Sequence, residues 1–436
     1  MKQALRKLIC HLLPATLTAI FVITTANAQT EHILHRFTSI EGDGAIPEAA
    51  LISDAAGNLY GTTFYGGALP RCAINQVNVG CGMVLMVSPP SSQGAAWKET
   101  LLHEFTGGTD GEFPSGPLVL DKAGNLYGAT SQGGASSRGT IFELSPPSSP
   151  GGQWAETILW TFNGDDAAPG GTLVLDSQGN LYGTAGSGGG GGNCGTVFEL
   201  TPAGNGEWTE TILYAFKNKQ DGCNPQSGLI PDSQGNFYGT TGAYDGTVFR
   251  LSPSQSGNWR KTTLHTFEGN FDGKYPFGAV TIHKGALYGT TRSGGDSGCG
   301  GQGCGTVFQI TSAGVYSIIH RFVEDTTDGI LPVAGLIADG NGNLYGTAQN
   351  GGGSIYCGSY GCGAIFELTP PGVQGGTWTE TTLYSFSNFD GDGETPQGAL
   401  LLDKRGVLFG TTADGGDGDC SINGSVGCGT VFALTK

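Results

Sequence analysis

Asp121-Lys-Ala-Gly-Asn-Leu-Tyr-Gly-Ala-Thr130 decides the fold, because the chain writes versions of it seven times. The other copies are centred on Tyr60, Tyr182, Tyr238, Tyr288, Tyr345 and Phe409. Self-similarity at a period of tens of residues is the signature of a repeat architecture. Around the second copy stand four short β-like runs: Gly116–Asp121, Asn125–Thr130, Gly139–Leu144 and Trp154–Phe162, called strands a, b, c and d. The a–b connection reads Asp-x-x-Gly-Asn, in which Asp caps a turn and Gly-Asn tolerates positive φ. The fifth repeat, His283-Lys-Gly-Ala286, is one residue shorter and lacks the Asp, which predicts a tighter hairpin.

Strands b and c carry apolar residues on both faces, as at Leu59/Tyr60 and Val431/Phe432, so they lie between two other layers. Four-stranded sheets stacked radially supply that environment, and seven copies suit a closed ring. The expected fold is all-β, a seven-bladed β-propeller of four-stranded antiparallel blades. An orphan d strand at His32–Phe37 and a final c strand at Gly429–Leu434 predict that the N-terminal strand completes the last blade as its outer strand. The glycine inside every strand b (Gly61, Gly128, Gly183, Gly239, Gly289, Gly346, Gly410) is expected to let a neighbouring sheet approach closely.

Residues 1–28 read as a signal peptide: Lys2, Arg6 and Lys7 precede an apolar core from Leu8 to Ile23, and Ala26-Asn27-Ala28 is a small-x-small cleavage site. The apolar run is short and broken by His11 and Pro14, which argues against a membrane anchor. The expectation is a single propeller domain over residues 29–436, exported to the periplasm or the outside, with no transmembrane segment and monomeric. Without the signal, 17 Lys+Arg face 37 Asp+Glu, a net charge of −20. Such a surface repels nucleic acid and anionic membrane, leaving a protein or polysaccharide ligand as the expected partner.

Ten cysteines remain after cleavage, an even number that points to disulfides in an exported chain. Cys72/Cys81, Cys299/Cys304, Cys357/Cys362 and Cys420/Cys428 are close pairs between strands b and c. In an antiparallel meander the b–c and d–a loops share one face, here called the loop face. Cys194 in a b–c loop and Cys223 in the following d–a loop are the pair left over and are expected to bond across neighbouring blades. The competing reading has Cys299, Cys304, Cys357 and Cys362 pool as zinc ligands.

Each d–a loop places Asp four residues before Pro: Asp43, Asp110, Asp165, Asp221, Asp272, Asp328 and Asp392. These are the candidate ligand-face residues, expected to ring the mouth of a central channel either as a cation or polar-ligand site or as Asp capping a turn stiffened by Pro; sevenfold repetition favours turn capping, because functional sites normally use a few unlike residues. Asp390, Asp392 and Glu394 in Asp-Gly-Asp-Gly-Glu resemble a fragment of a calcium loop without its full spacing, so calcium is the one cofactor suggested while an acidic, solvated turn is the favoured reading. His35, His103, His265 and His320 occupy a strand-d position held elsewhere by Trp160, Tyr214 and Tyr384, which reads as outer-strand packing. No Ser-His-Asp set, HExxH or phosphate loop appears, and no catalytic residue is assigned.

The repeat Gly-Asn-Leu-Tyr-Gly-Thr-(Thr/Ala)-x-x-Gly-Gly, followed by Cys-Gly-Thr-Val-Phe-Glu-Leu-Thr-Pro, resembles the GloVer (Gloeo/Verruco) tandem repeat across residues 32–436. The resemblance implies an extracellular, propeller-like bacterial repeat protein, of a type that often carries one of several surface anchors, and supplies no catalytic residues. The expected function is non-catalytic ligand or partner binding through the loop face, since loops on a rigid scaffold usually carry function. The alternatives are a polysaccharide-active hydrolase or lyase using carboxylates on that face, and a structural or adhesive surface protein.

Overall fold

The computed structural model describes residues 29–436 apart from 39–41, 68–71, 75–76, 93, 150, 164–165, 191, 256, 270, 325–327, 355, 374, 419, 421–426 and 436. The signal-peptide segment lies outside the described residues. In the second repeat the strands are Val119–Leu120, Leu126–Gln132, Thr140–Ser145 and Ala155–Thr161. They pair antiparallel in that order, from the inner strand a to the outer strand d. The same order recurs in every repeat, so the protein is a seven-bladed β-propeller. The last blade is completed by Thr30–Arg36, which pairs with Thr430–Thr435, Thr30 opposite Thr435 and Arg36 opposite Thr430.

The repeated decapeptide folds as its residues require. Asp176 Oδ1 accepts the amide hydrogens of Gln178 and Asn180, while Oδ2 accepts from Asn180 Nδ2 at 2.9 Å and Tyr182 OH at 3.2 Å. Asp54, Asp121, Asp232 and Asp339 repeat this network with their own Asn and Tyr. The fifth blade makes the tighter hairpin: His283 faces Ala286 across Lys284 and Gly285, at φ of 48° and 79°. Two positive φ values in a two-residue loop match the right-handed twist of the flanking strands.

The strand-b glycine serves a different neighbour from the one expected. Gly346 lies opposite Phe366 of its own blade's strand c. A Cβ there would come 2.5 Å from Phe366 Cζ and 2.7 Å from Leu336 Cδ2. The missing side chain houses the aromatic ring of the adjacent strand, and five other blades repeat the pairing with Phe142, Phe198, Phe249, Phe308 and Phe432. The ring then meets the next blade edge-on: Phe322, which ends the fifth blade's outer strand, packs 5.1 Å from Phe366. Each fully buried phenylalanine contributes on the order of 2–3 kcal/mol.

Trp154 packs against Tyr60 of the preceding blade, and Trp378 against Tyr288. These half-buried tryptophans are therefore part of the joints between blades. Among the described residues, no helix is long and apolar enough to cross a membrane.

Candidate functional site

The Asp-Gly-x-x-Pro segment is where one blade is joined to the next. The residue before Pro adopts a left-handed conformation in all seven repeats: Ile46, Phe113, Ala168, Asn224, Tyr275, Leu331 and Thr395 have φ between 54° and 61°. Positive φ is costly for side chains such as Ile and Thr, so the surroundings must enforce it. Two contacts do so. The amide of that residue donates to a carbonyl in the preceding blade's b–c loop, as from Leu331 to Cys304 at 2.8 Å and from Ile46 to Cys428 at 3.0 Å. The following Pro then covers the glycine of Cys-Gly-Thr, whose added Cβ would meet Pro332 Cδ at 2.6 Å in the case of Gly305.

All five disulfides hold the loop face. Cys72–Cys81, Cys299–Cys304, Cys357–Cys362 and Cys420–Cys428 each brace one b–c loop, and Cys194–Cys223 joins the third blade to the fourth. The pooled zinc reading of the Cys299 and Cys357 pairs is thereby overturned, since their sulfurs are bonded to one another within each loop.

Among the described residues, the repeated aspartates do not ring the channel. Their carboxylates turn back to cap the d–a turn and face the outer strands. Asp43 accepts from the Thr38 and Gly44 amides, and Asp392 from Ser387, Tyr384 and the Gly393 amide. Asp221 accepts from Tyr214 OH at 2.7 Å and the Lys217 amide at 3.0 Å. Asp272 meets His265 Nε2 at 2.9 Å, and Asp328 lies 3.7 Å from His320 Nε2 and takes the Val323 amide. Asp110 lies 3.4 Å from His103. Asp165 falls outside the described residues; its neighbour Asp166 is buried and accepts from the Gly189 amide.

The strand-d His and Tyr position is therefore polar pairing as well as packing. A third residue completes it, from the outer strand of the next blade. Lys261 reaches Asp221 at 3.1 Å, Tyr316 stacks on His265 at 3.6 Å and donates to the Asp272 carbonyl, and Glu156 lies 3.4 Å from His103. Sequence reasoning missed this partner. The signal was a Glu, Lys or Tyr six residues before the Phe that ends each strand d.

Asp390, Asp392 and Glu394 do not converge on a cation. Asp392 spends both oxygens on its own loop, Asp390 is exposed, and Glu394 accepts from Asn388 Nδ2 at 2.8 Å. Among the described residues their ligand atoms do not gather within the 4.8 Å that unites His103, Asp110 and Glu156.

The channel itself is a cavity of about 850 Å³. Its wall includes the residue after each conserved Pro, namely Glu48, Ser115, Gly170, Gln226, Phe277, Val333 and Gln397. Residues just past strand b add Phe64, Ser131, Arg292 and Gln349. These positions differ from repeat to repeat, and Glu48 and Arg292 are the charged side chains among them. Glu48 keeps an exposed side chain at the channel wall, where desolvation by the surrounding wall, then Asp414, push its carboxyl up to about 7. Burial and Asp414 likewise raise Glu394 to about 7. The same face carries the exposed aromatic side chains, of which Phe277 lines the cavity. Tyr244, Phe271, Phe277, Tyr356, Tyr360 and Phe389 all belong to b–c or d–a loops, from 38% exposed at Phe277 to 81% at Phe271. Tyr356 and Phe389 stack on one another at 5.2 Å.

No functionally curated protein matches the chain in sequence. Solved structures match it at the level of fold. PorZ, a surface component of the type-IX secretion system of Porphyromonas gingivalis, superposes with a TM-score of 0.50 at 14% identity, over 90% of this chain and 47% of its own. The periplasmic gluconolactonase of Pseudomonas aeruginosa superposes with a TM-score of 0.49 at 16% identity, over 78% of this chain and 85% of its own. The sequence signature is more specific, for the Gloeobacter/Verrucomicrobia repeat model matches residues 14–244 and 71–302. With the propeller, its repeated joints and these two matches in hand, the chain belongs to the Gloeobacter/Verrucomicrobia repeat family.

Proposed function

We propose that the protein is an exported, non-catalytic binding protein that holds a neutral polysaccharide against its loop face, with the channel mouth taking a terminal sugar unit. One observation carries the reading: among the described residues, every exposed Phe or Tyr side chain lies on that single face, and no Trp is exposed. Apolar rings left in water mark interaction surfaces, and flat rings suit the C–H faces of sugars. The amides of Gln226, Gln349 and Gln397 at the channel wall offer hydrogen bonds to hydroxyls. The acidic balance, −17 over the whole chain, disfavours anionic polymers. The disulfides suit an oxidising compartment, which supports export.

Affinity electrophoresis of residues 29–436 through gels containing neutral polysaccharides tests this. Retardation by at least one polymer is expected. Tyr356→Ala with Phe389→Ala should weaken it about tenfold, from roughly 0.5–1.5 kcal/mol per stacked ring. Val373→Ala, on the opposite face, should change nothing. Absence of retardation by any neutral polymer, or equal loss in the Val373 variant, would sink the reading.

One observation favours a second reading, a polysaccharide hydrolase: the Glu48 and Glu394 carboxyls, both raised to about 7 beside Asp414, are tuned as acids at neutral pH. It requires oligosaccharide products, seen by mass spectrometry, that disappear in Glu48→Gln.

A further inference from the structure

We propose that His103, Asp110 and Glu156 form a zinc site that staples the first blade to the second at the outer rim. The three come from separate elements. His103 lies on the first blade's outer strand, Lys98–Glu104; Asp110 ends the short turn Gly108–Asp110; and Glu156 lies on the second blade's outer strand, Ala155–Thr161. His103 Nε2 is 3.4 Å from Asp110 Oδ1 and 3.4 Å from Glu156 Oε1. All three ligand atoms lie within 4.8 Å of one another. A tetrahedral zinc with bonds of about 2.0–2.1 Å separates its ligand atoms by about 3.4 Å. The two spacings at His103 therefore match ligands around one ion.

Hydrogen bonding does not use these atoms well. His103 Nε2 and Glu156 Oε1 are both buried and neither completes a hydrogen bond of normal geometry. At the equivalent joint of the fourth blade, by contrast, His265 meets Asp272 at 2.9 Å, an ordinary hydrogen bond. The supporting groups suit metal binding. Asp110 commits Oδ2 to the Thr106 amide and turns Oδ1 toward His103. The His103 ring is held edge-on against Phe105 at 4.8 Å. A divalent ion would also neutralise the Asp110 and Glu156 carboxylates that this seam brings together. One imidazole with two carboxylates is a donor set for zinc rather than calcium, which takes oxygen ligands.

The other joints separate the site from the general pattern. His35 and Asp43 stand 3.7 Å apart, as do His320 and Asp328. Among the described residues, neither joint gathers three ligand atoms as the first–second joint does. Three protein ligands leave a fourth position for water at the partly open rim.

The test is titration of chelator-stripped mature protein with zinc against a chromogenic competitor, alongside cobalt substitution read by visible absorption. One equivalent per chain is expected, with an intense four-coordinate cobalt spectrum and a rise in Tm on adding zinc. Glu156→Gln, which preserves shape, and His103→Gln should each weaken binding 10- to 100-fold and abolish the cobalt spectrum, whereas His35→Gln should not. If a variant fails to fold, the wild-type stoichiometry and cobalt spectrum still decide. Sub-stoichiometric binding, a six-coordinate cobalt spectrum, or affinity unchanged in folded Glu156→Gln protein would overturn the proposal.

Discussion

A glycine in the middle of a strand is costly by itself, and here the cost is offset by the ring that fills its place. Gly346→Ala should lower stability by about 1–3 kcal/mol, because Phe366 and Leu336 block the new methyl group. Urea unfolding would measure it, and a double-mutant cycle with Phe366→Leu should return a favourable coupling. The first blade already carries this solution, with Leu85 opposite Gly61. If the two substitutions simply add, the cross-strand account is wrong. The importance of the glycine was legible in the sequence, but its partner was not, because naming Phe366 requires the strand register as well as the repeat. The turn aspartate was fully legible, since its Asn and Tyr partners lie four and six residues away. Asp176→Ala, which strands those donors, should cost about 1–2 kcal/mol by the same measurement.

Between blades, the cysteines were legible because their pairing follows from loop order alone. The bonds should nevertheless differ in worth. Cys194–Cys223 spans 29 residues and Cys299–Cys304 only 5. On a chain-entropy basis the first contributes about 3.5 kcal/mol and the second about 2 kcal/mol. Replacing each pair by alanines and comparing denaturant midpoints should show the larger loss for Cys194/Cys223; the reverse order would mean that native-state contacts outweigh loop closure. The Asp-Gly-x-x-Pro segment was visible as a motif but misplaced. Its regularity favoured turn capping over a ring of ligands, but its carboxylates were expected at the channel mouth, while the structure spends the segment on capped turns, positive φ, a proline lid and outer-strand pairing. The channel-wall positions went unread for the opposite reason: Glu48, Gln226 and Arg292 share no residue type, and only the fold collects them.

At the scale of the whole ring, stability should depend on pH through the joints. Burial and the nearby Asp392 raise Glu31 to about 7, and burial and Asp166 do the same for Glu210. A carboxyl raised in the folded state stabilises fully below its unfolded value of about 4.3, and that contribution is lost as pH rises through about 7. Burial opposes ionisation of Asp43 and Asp272, but His35, His265 and local amides outweigh it and hold both below the usual range. Their contribution is present above about 3.9 and is lost as pH falls through their lower folded values. Tm should therefore peak near pH 4, where the two windows meet, and decline on both sides, with Glu31→Gln flattening the decline between about pH 4.3 and 7. A Tm that climbs steadily from pH 6 to 8 would contradict this. The closed ring itself was legible, because an orphan strand at each end is a one-dimensional fact.

That closure also sets a timetable. Thr30 and Thr435 meet across 405 residues of chain. At synthesis rates of about 5–20 residues per second, the first strand emerges roughly 20–80 s before its partner exists. Six blades can form locally, each from neighbouring segments, while the opening strand stays an unpaired edge until the last strand is present. The step that completes the molecule is thus its longest-range contact and its slowest, and a holding chaperone would have its greatest effect on the residues made first.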